Sequence, residues 1–145
     1  MLFSRINKTD PEKVFVVVKA GEALCAGKPV TYHFSGTDDG KLAYLADAAT
    51  DHSLTVGLAD AAIASGAYGL VQCYGFRSDA YVILASSQAV GAGGVLDVTS
   101  LSSGALYLLA SAGAAGVAWT PFALANSATQ ATCAEKVMGV FIQCM

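Results

Sequence analysis

At 145 residues, with 54% hydrophobic and only 13% charged side chains, the chain can bury a real core as one domain or two tightly packed lobes, and extended disorder is excluded. The net charge of -3 and the lack of a basic stripe leave nothing to neutralise phosphates, which excludes a direct nucleic-acid partner. The charge is unevenly spread: residues 1–60 hold 14 of the 19 charged side chains, and none lies between Asp97 and Glu135.

Residues 1–13 are polar and mixed, closing on the turn-forming Asp10-Pro11-Glu12-Lys13. They read as an extended N-terminal arm ordered by a partner, with Leu2, Phe3, Arg5 and Ile6 as candidate interface residues. The arm lacks the long apolar run of a secretory signal, so the glycosylation pattern Asn7-Lys8-Thr9 carries no weight. Residues 14–145 read as a single β domain.

Val14 to Val18 is a β-branched and aromatic run of the kind found in buried strands. Gly21 and Gly27 bracket a turn, and Pro29 opens a second strand through Phe34, where a missing N–H is least needed. Asp38-Asp39-Gly40 then predicts a hairpin, with Lys41 to Ala46 as the returning strand. The two aspartates lack the ligand spacing of a calcium loop. Asp47 to Ser53 is a polar loop. Leu58 to Ala64 fits a short helix or, equally, a loop or single turn, because Gly57 and Gly66 confine it. Tyr68 to Tyr74 is a strand, Gly75 to Asp79 a turn, and Ala80 to Ala85 a further strand.

The second half repeats the first. Ala23 to Gly27 aligns with Ala89 to Gly93, Val30 with Leu96, Leu42 with Leu108, and Leu58-Ala59-Asp60 with Leu124-Ala125-Asn126, each pair 66 positions apart. Gln72-Cys73 aligns with Gln143-Cys144 if the second copy carries extra residues between Ser127 and Lys136. The fold expected is all-β: a compact barrel or sandwich of two pseudo-repeated halves, about 14–85 and 86–145, completing one core. At Asp60 and Asn126 a side chain capping the next turn is expected.

The charge-free stretch reads in two ways, as a membrane span or as a surface covered by protein. Leu101 to Ala125 is long enough to span. It contains Ser102, Ser103, Gly104, Gly113, Gly116 and Pro121, and lacks flanking Lys/Arg. We read it as strands joined by small-residue loops and covered in part by neighbouring subunits, with no membrane partner. Trp119 and Phe122, beside Pro121, form the densest apolar cluster, and serve equally as core or as interface anchors.

No catalytic constellation emerges. There is no Gly-x-Ser-x-Gly elbow, and Gly91-Ala92-Gly93-Gly94 lacks the Lys-Ser/Thr of a phosphate loop. His33 reads as a structural strand histidine and His52 as a solvated one. Cys25, Cys73, Cys133 and Cys144 show no zinc spacing and read as free buried thiols, with two disulfides as the alternative. No catalytic, cofactor-binding or metal-binding residue is assigned, and the expectation is a non-enzyme.

One further pattern bears on function. A Val-rich first strand, an Asp-Gly hairpin followed by Lys-Leu, and Val56-Gly57-Leu58-Ala59 leading through Gly66-Ala67-Tyr68-Gly69 to Leu70-Val71-Gln72 are followed by a second Ala-Gly turn and a closing Phe122-Ala123-Leu124-Ala125 with Val140-Phe141-Ile142. This order resembles the capsid cement, or head-decoration, proteins of tailed bacteriophages, over about residues 14–144. The resemblance implies a β-rich virion protein that binds the outer surface of an assembled head, has the major capsid protein as partner, and self-associates as a homotrimer. It implies a location on the capsid surface, and in the host cytoplasm during assembly. A tail or fibre component is the first alternative, and a small enzyme or ligand-binding protein the second.

Overall fold

A computed structural model describes residues 12–34, 40–46, 54–83, 89–90, 92–98, 106–108, 123–125, 129–130 and 136–144. Its elements are β1 (Val14–Lys19), β2 (Pro29–His33), β3 (Leu42–Leu45), β4 (Thr55–Ala59), β5 (Tyr68–Ile83), β6 (Ala89–Val90), β7 (Val95–Val98), β8 (Leu106–Leu108), β9 (Ala123–Ala125), β10 (Thr129–Gln130) and β11 (Lys136–Gln143). The protein is all-β, as expected.

The strand pairings close two circuits that share β5. In the first, β1 and β4 flank the N-terminal half of β5, β4 pairs with β2, and β2 with β3, all antiparallel. A parallel bridge from Ala20 to Ala43 returns β3 to the end of β1. In the second, the C-terminal half of β5 pairs with β11, then β9, β7 and β8 follow, again antiparallel. A parallel pairing of Val82 with Leu106 closes it. Closing a sheet on itself satisfies edges that a short open sheet would leave bare.

Each circuit has its own core. Val18, Ala20, Leu24, Val30, Ala43, Ala59, Ile63 and Val71 fill the first. Ala80, Val82, Leu96, Ala123, Ala125, Met138, Val140 and Ile142 fill the second, and Leu58 of β4 joins them. Ala59 thus faces the first core while its neighbour Leu58 serves the second, as the period-2 alternation of a strand requires. Burying one leucine side chain fully is worth about 2 kcal/mol of transfer energy, so Leu58 helps hold the two circuits together.

The duplicated pattern has a counterpart in hydrogen bonding. Pro29 faces Leu58 and Val30 faces Gly57; Val95 faces Leu124 and Leu96 faces Ala123. The Gly27 amide donates to Ala59 O and the Ala59 amide to Lys28 O, at 2.9 and 3.0 Å. The Gly93 amide donates to Ala125 O and the Ala125 amide to Gly94 O, both at 2.8 Å. The Leu24–Ile63 bridge has its equivalent in Val90–Thr129. All these pairs differ by 66 positions. Both turn glycines, Gly27 and Gly93, have positive φ (75° and 81°), a conformation that disfavours any side chain.

Several expectations are corrected. Leu42 is not the equivalent of Leu108: Leu45 opposes Val30 as Leu108 opposes Leu96. Gln72 corresponds to Phe141, because both lie opposite the matched leucines Leu58 and Leu124. Gly75 to Asp79 is not a turn. The chain runs on as one 16-residue strand, bent at Gly75, whose φ is 101°. The changeover between circuits falls at this bend rather than near residue 86. The Gln72 side-chain amide pins it, donating to Tyr74 O and Phe76 O at 3.2 Å each. Of the two alternatives at Leu58 to Ala64, the helix does not form and a loop follows Ala59. β4 runs through Ala59, and Ile63 bridges Leu24.

The hairpin prediction holds at its base, where β2 and β3 pair in register and the Gly40 amide donates to His33 O at 2.9 Å. Its tip at Asp38-Asp39 and the Asp47–Ser53 loop lie outside the described residues.

Candidate interaction surface

β1 and β5 present an outer face with large apolar side chains. The register sets Phe15 opposite Gln72, Val17 opposite Leu70 and Lys19 opposite Tyr68. Val17 is 64% exposed and Tyr68 71%, and Phe15 and Leu70 are also exposed. The Lys19 ammonium lies 5.9 Å from the Tyr68 ring centroid, a cation–π contact between cross-strand neighbours. The first strand is therefore not buried on both sides, as its unbroken apolar run suggested. Its alternation is hidden in the sequence because both phases are apolar. The usable signal is the single Lys19 at its end and the exposed tyrosine it meets.

Beside this face runs a groove of about 530 Å³ between β1 and the start of β3, lined by Val17, Lys19, Tyr32, Lys41, Leu42 and Tyr68 among others. It runs along β1 toward β2 and β3, and the β5 residue Tyr68 completes its lining. A smaller hollow of about 270 Å³ lies along Asp60 to Leu70. Neither brings together a nucleophile, a base and an oxyanion donor, and among the described residues no three His, Cys, Asp or Glu side chains are placed to hold a metal ion.

Among the described residues the most constrained charge is Arg77, only 5% exposed, on β5 just past the bend. Its Nε lies 2.8 Å from Asp79 Oδ1 and its Nη1 3.5 Å from Asp60 Oδ1, while Nη2 donates to Asp60 O at 3.1 Å and to Asp79 Oδ2 at 3.1 Å. The close Nε approach is an ion pair rather than a well-aligned hydrogen bond. Asp60 thus pairs with Arg77 across the seam between the circuits, which replaces the turn-capping role expected for it. Both carboxylates are about half exposed, so the buried guanidinium dominates the energetics.

His33, at the end of β2, is exposed, with its ring tilted against Tyr44 at 5.0 Å. Cys25 is exposed, Cys73 buried and Cys144 half-buried, all with free thiols. Cys73 and Cys144 are partners rather than equivalents, because the Cys144 amide donates to Cys73 O at 3.0 Å. The Cys73 thiol donates to Val14 O at 3.4 Å, and burial raises its pKa. Cys133, His52, and the candidate interface residues Leu2, Phe3, Arg5, Ile6, Trp119 and Phe122 lie outside the described residues, as does most of the charge-free stretch. Among the described residues no helix is long and apolar enough to cross a membrane.

No protein-family model matches the chain, and no curated protein is significantly similar to it.

Proposed function

We propose that this chain is a structural virion protein that binds the outer surface of a bacteriophage head and stabilises contacts between major capsid subunits. The observation that carries the reading is the exposed apolar face of β1 and β5, with Phe15, Tyr68 and Leu70 pointing outward. Contiguous apolar surface of this kind marks a protein interaction site. The sequence resemblance to head-decoration proteins supplies the partner, the major capsid protein, and the oligomer, a homotrimer. In this role many copies of a modest interface act together, so shell stability comes from multivalency more than from any single tight contact.

The test adds purified protein to matured heads that lack it. It should bind in a fixed ratio to capsid subunits and raise the temperature at which heads rupture. Failure to bind any matured head sinks the reading, and a density map that places it on a tail or fibre replaces it with that alternative.

A further inference from the structure

Among the described residues, one of the contacts that join the two circuits has both its halves repeated elsewhere on the chain without meeting each other. On the first circuit, the Cys25–Lys28 turn meets the second circuit's opening strand. The Tyr81 amide donates to Gly27 O at 3.1 Å, and a Cβ on Gly27 would lie 2.2 Å from Asp79 O. The Lys28 ammonium sits 5.6 Å from the Tyr81 ring centroid.

Both surfaces recur. The equivalent of Gly27 is Gly93, held by the same pair of hydrogen bonds and the same positive φ. Yet a Cβ on Gly93 would meet nothing within 4 Å. The equivalent of Tyr81 is Lys19, because Ala20 bridges Ala43 as Val82 pairs with Leu106, and Ala43 and Leu106 each lie two residues before the partners of Val30 and Leu96. By the same count Val17 matches Asp79. The Ala20 amide donates toward β5, to Ala67 O at 2.9 Å. Strand alternation therefore turns the Lys19 amide to the opposite edge, which opens on the 530 Å³ groove. The groove thus occupies, on the first circuit, the place that the Gly27 turn fills on the second. Leu58 and its equivalent Leu124 differ in the same sense: Leu58 is fully buried by the neighbouring circuit and Leu124 only half-buried.

We infer that a second copy of this chain docks here head to tail, its Gly93 turn entering the groove along β1 so that Gly93 O accepts from the Lys19 amide and Gly93 lies over Val17. The contact is heterologous: each copy offers a turn at one end and a groove at the other, so it propagates to a ring when the rotation closes. This inference rests on the repeat geometry and stands without the capsid reading.

Light scattering on the purified chain should give a mass above the 14.7 kDa monomer. Val17→Arg should weaken self-association at least about tenfold, with an unchanged circular-dichroism melt because Val17 is exposed. In a Cys25→Ser background, a chain carrying Val17→Cys mixed with one carrying Ala92→Cys should form a disulfide-linked dimer absent from either alone and from the parent. A monomer at millimolar concentration overturns the inference. So does a Val17→Cys chain that links to itself, which signals a two-fold contact, or a mixture that links no better than the parent. Head binding is read on the unsubstituted chain, because Val17 lies on the same exposed face as Leu70, so failure of the capsid reading is distinguishable from loss of self-association in the Val17→Arg chain.

Discussion

Gly57 offers a quantitative test of the duplicated architecture. It is buried on β4, and the place of its missing Cβ lies 2.1 Å from Gln72 O and 2.7 Å from Gln72 C on β5. Real contacts there do not fall below 3.0 Å, and the obstacle is backbone, so Gly57→Ala must part the strands by about 1 Å. The ladder here is short, with Leu58 facing Gln72, Ala59 facing Val71, and the Asp60 amide donating to Leu70 O at 2.9 Å. Losing one or two of these bonds costs about 1 kcal/mol each, and strain from overpacking adds about 1–3 kcal/mol. Alanine's smaller freedom in the unfolded chain returns about 0.4–1 kcal/mol. The net is about 1–4.6 kcal/mol, or a fall in melting temperature of roughly 3–14 °C at about 3 °C per kcal/mol. The molecule carries its own control, since Ala123 holds the equivalent position in the second circuit and is fully buried. Ala123→Gly should cost only about 1 kcal/mol. Differential scanning calorimetry on both variants decides the matter. A Gly57→Ala protein melting within about 2 °C of wild type, or a more damaging Ala123→Gly, refutes the reasoning.

Two further outcomes follow from buried groups. Arg77→Met should lower stability by about 2–3 kcal/mol through lost packing and the orphaned Asp60 carbonyl, whereas Asp60→Asn should cost under about 1 kcal/mol because that carboxylate is half exposed; urea midpoints of the two variants compare them. The raised pKa of Cys73 keeps its thiol protonated in the fold after the unfolded thiol has ionised. Its contribution is therefore complete below the ordinary thiol value of roughly 8.5 and declines as pH rises above it, so urea midpoints from about pH 8 to pH 10 should fall more steeply for wild type than for Cys73→Ala.

The sequence carried the repeat where tight backbone geometry restricts residue choice. The Gly27/Gly93, Val30/Leu96 and Leu58/Leu124 matches correspond to the same hydrogen-bonded places in both circuits. It failed where a match rested on residue type alone. Leu42/Leu108 and Gln72-Cys73/Gln143-Cys144 look alike in letters but differ in register, because interchangeable apolar residues do not record pairing. Gly75 reads as a turn, since nothing local reveals that Gln72 will hold the bend from within a continuous strand. Arg77 was missed as a seam residue because its partner Asp60 is distant in sequence. Its signal was its isolation, as the lone cation between Lys41 and Lys136. The outer face of β1 escaped because an unbroken apolar strand has no visible phase.

The sharing of β5 has a consequence for synthesis. Once its N-terminal half has left the ribosome, every strand of the first circuit is available, and that circuit can close while translation continues. The second has its opening strand laid down early but waits for Lys136–Gln143 to complete it. Until then the edge of β5 that β11 will cover stands bare beside an already folded neighbour, a state in which strand edges pair with the wrong chain. The order of emergence makes the second circuit the vulnerable one, and a nascent chain stalled before β11 should be half folded and prone to aggregate.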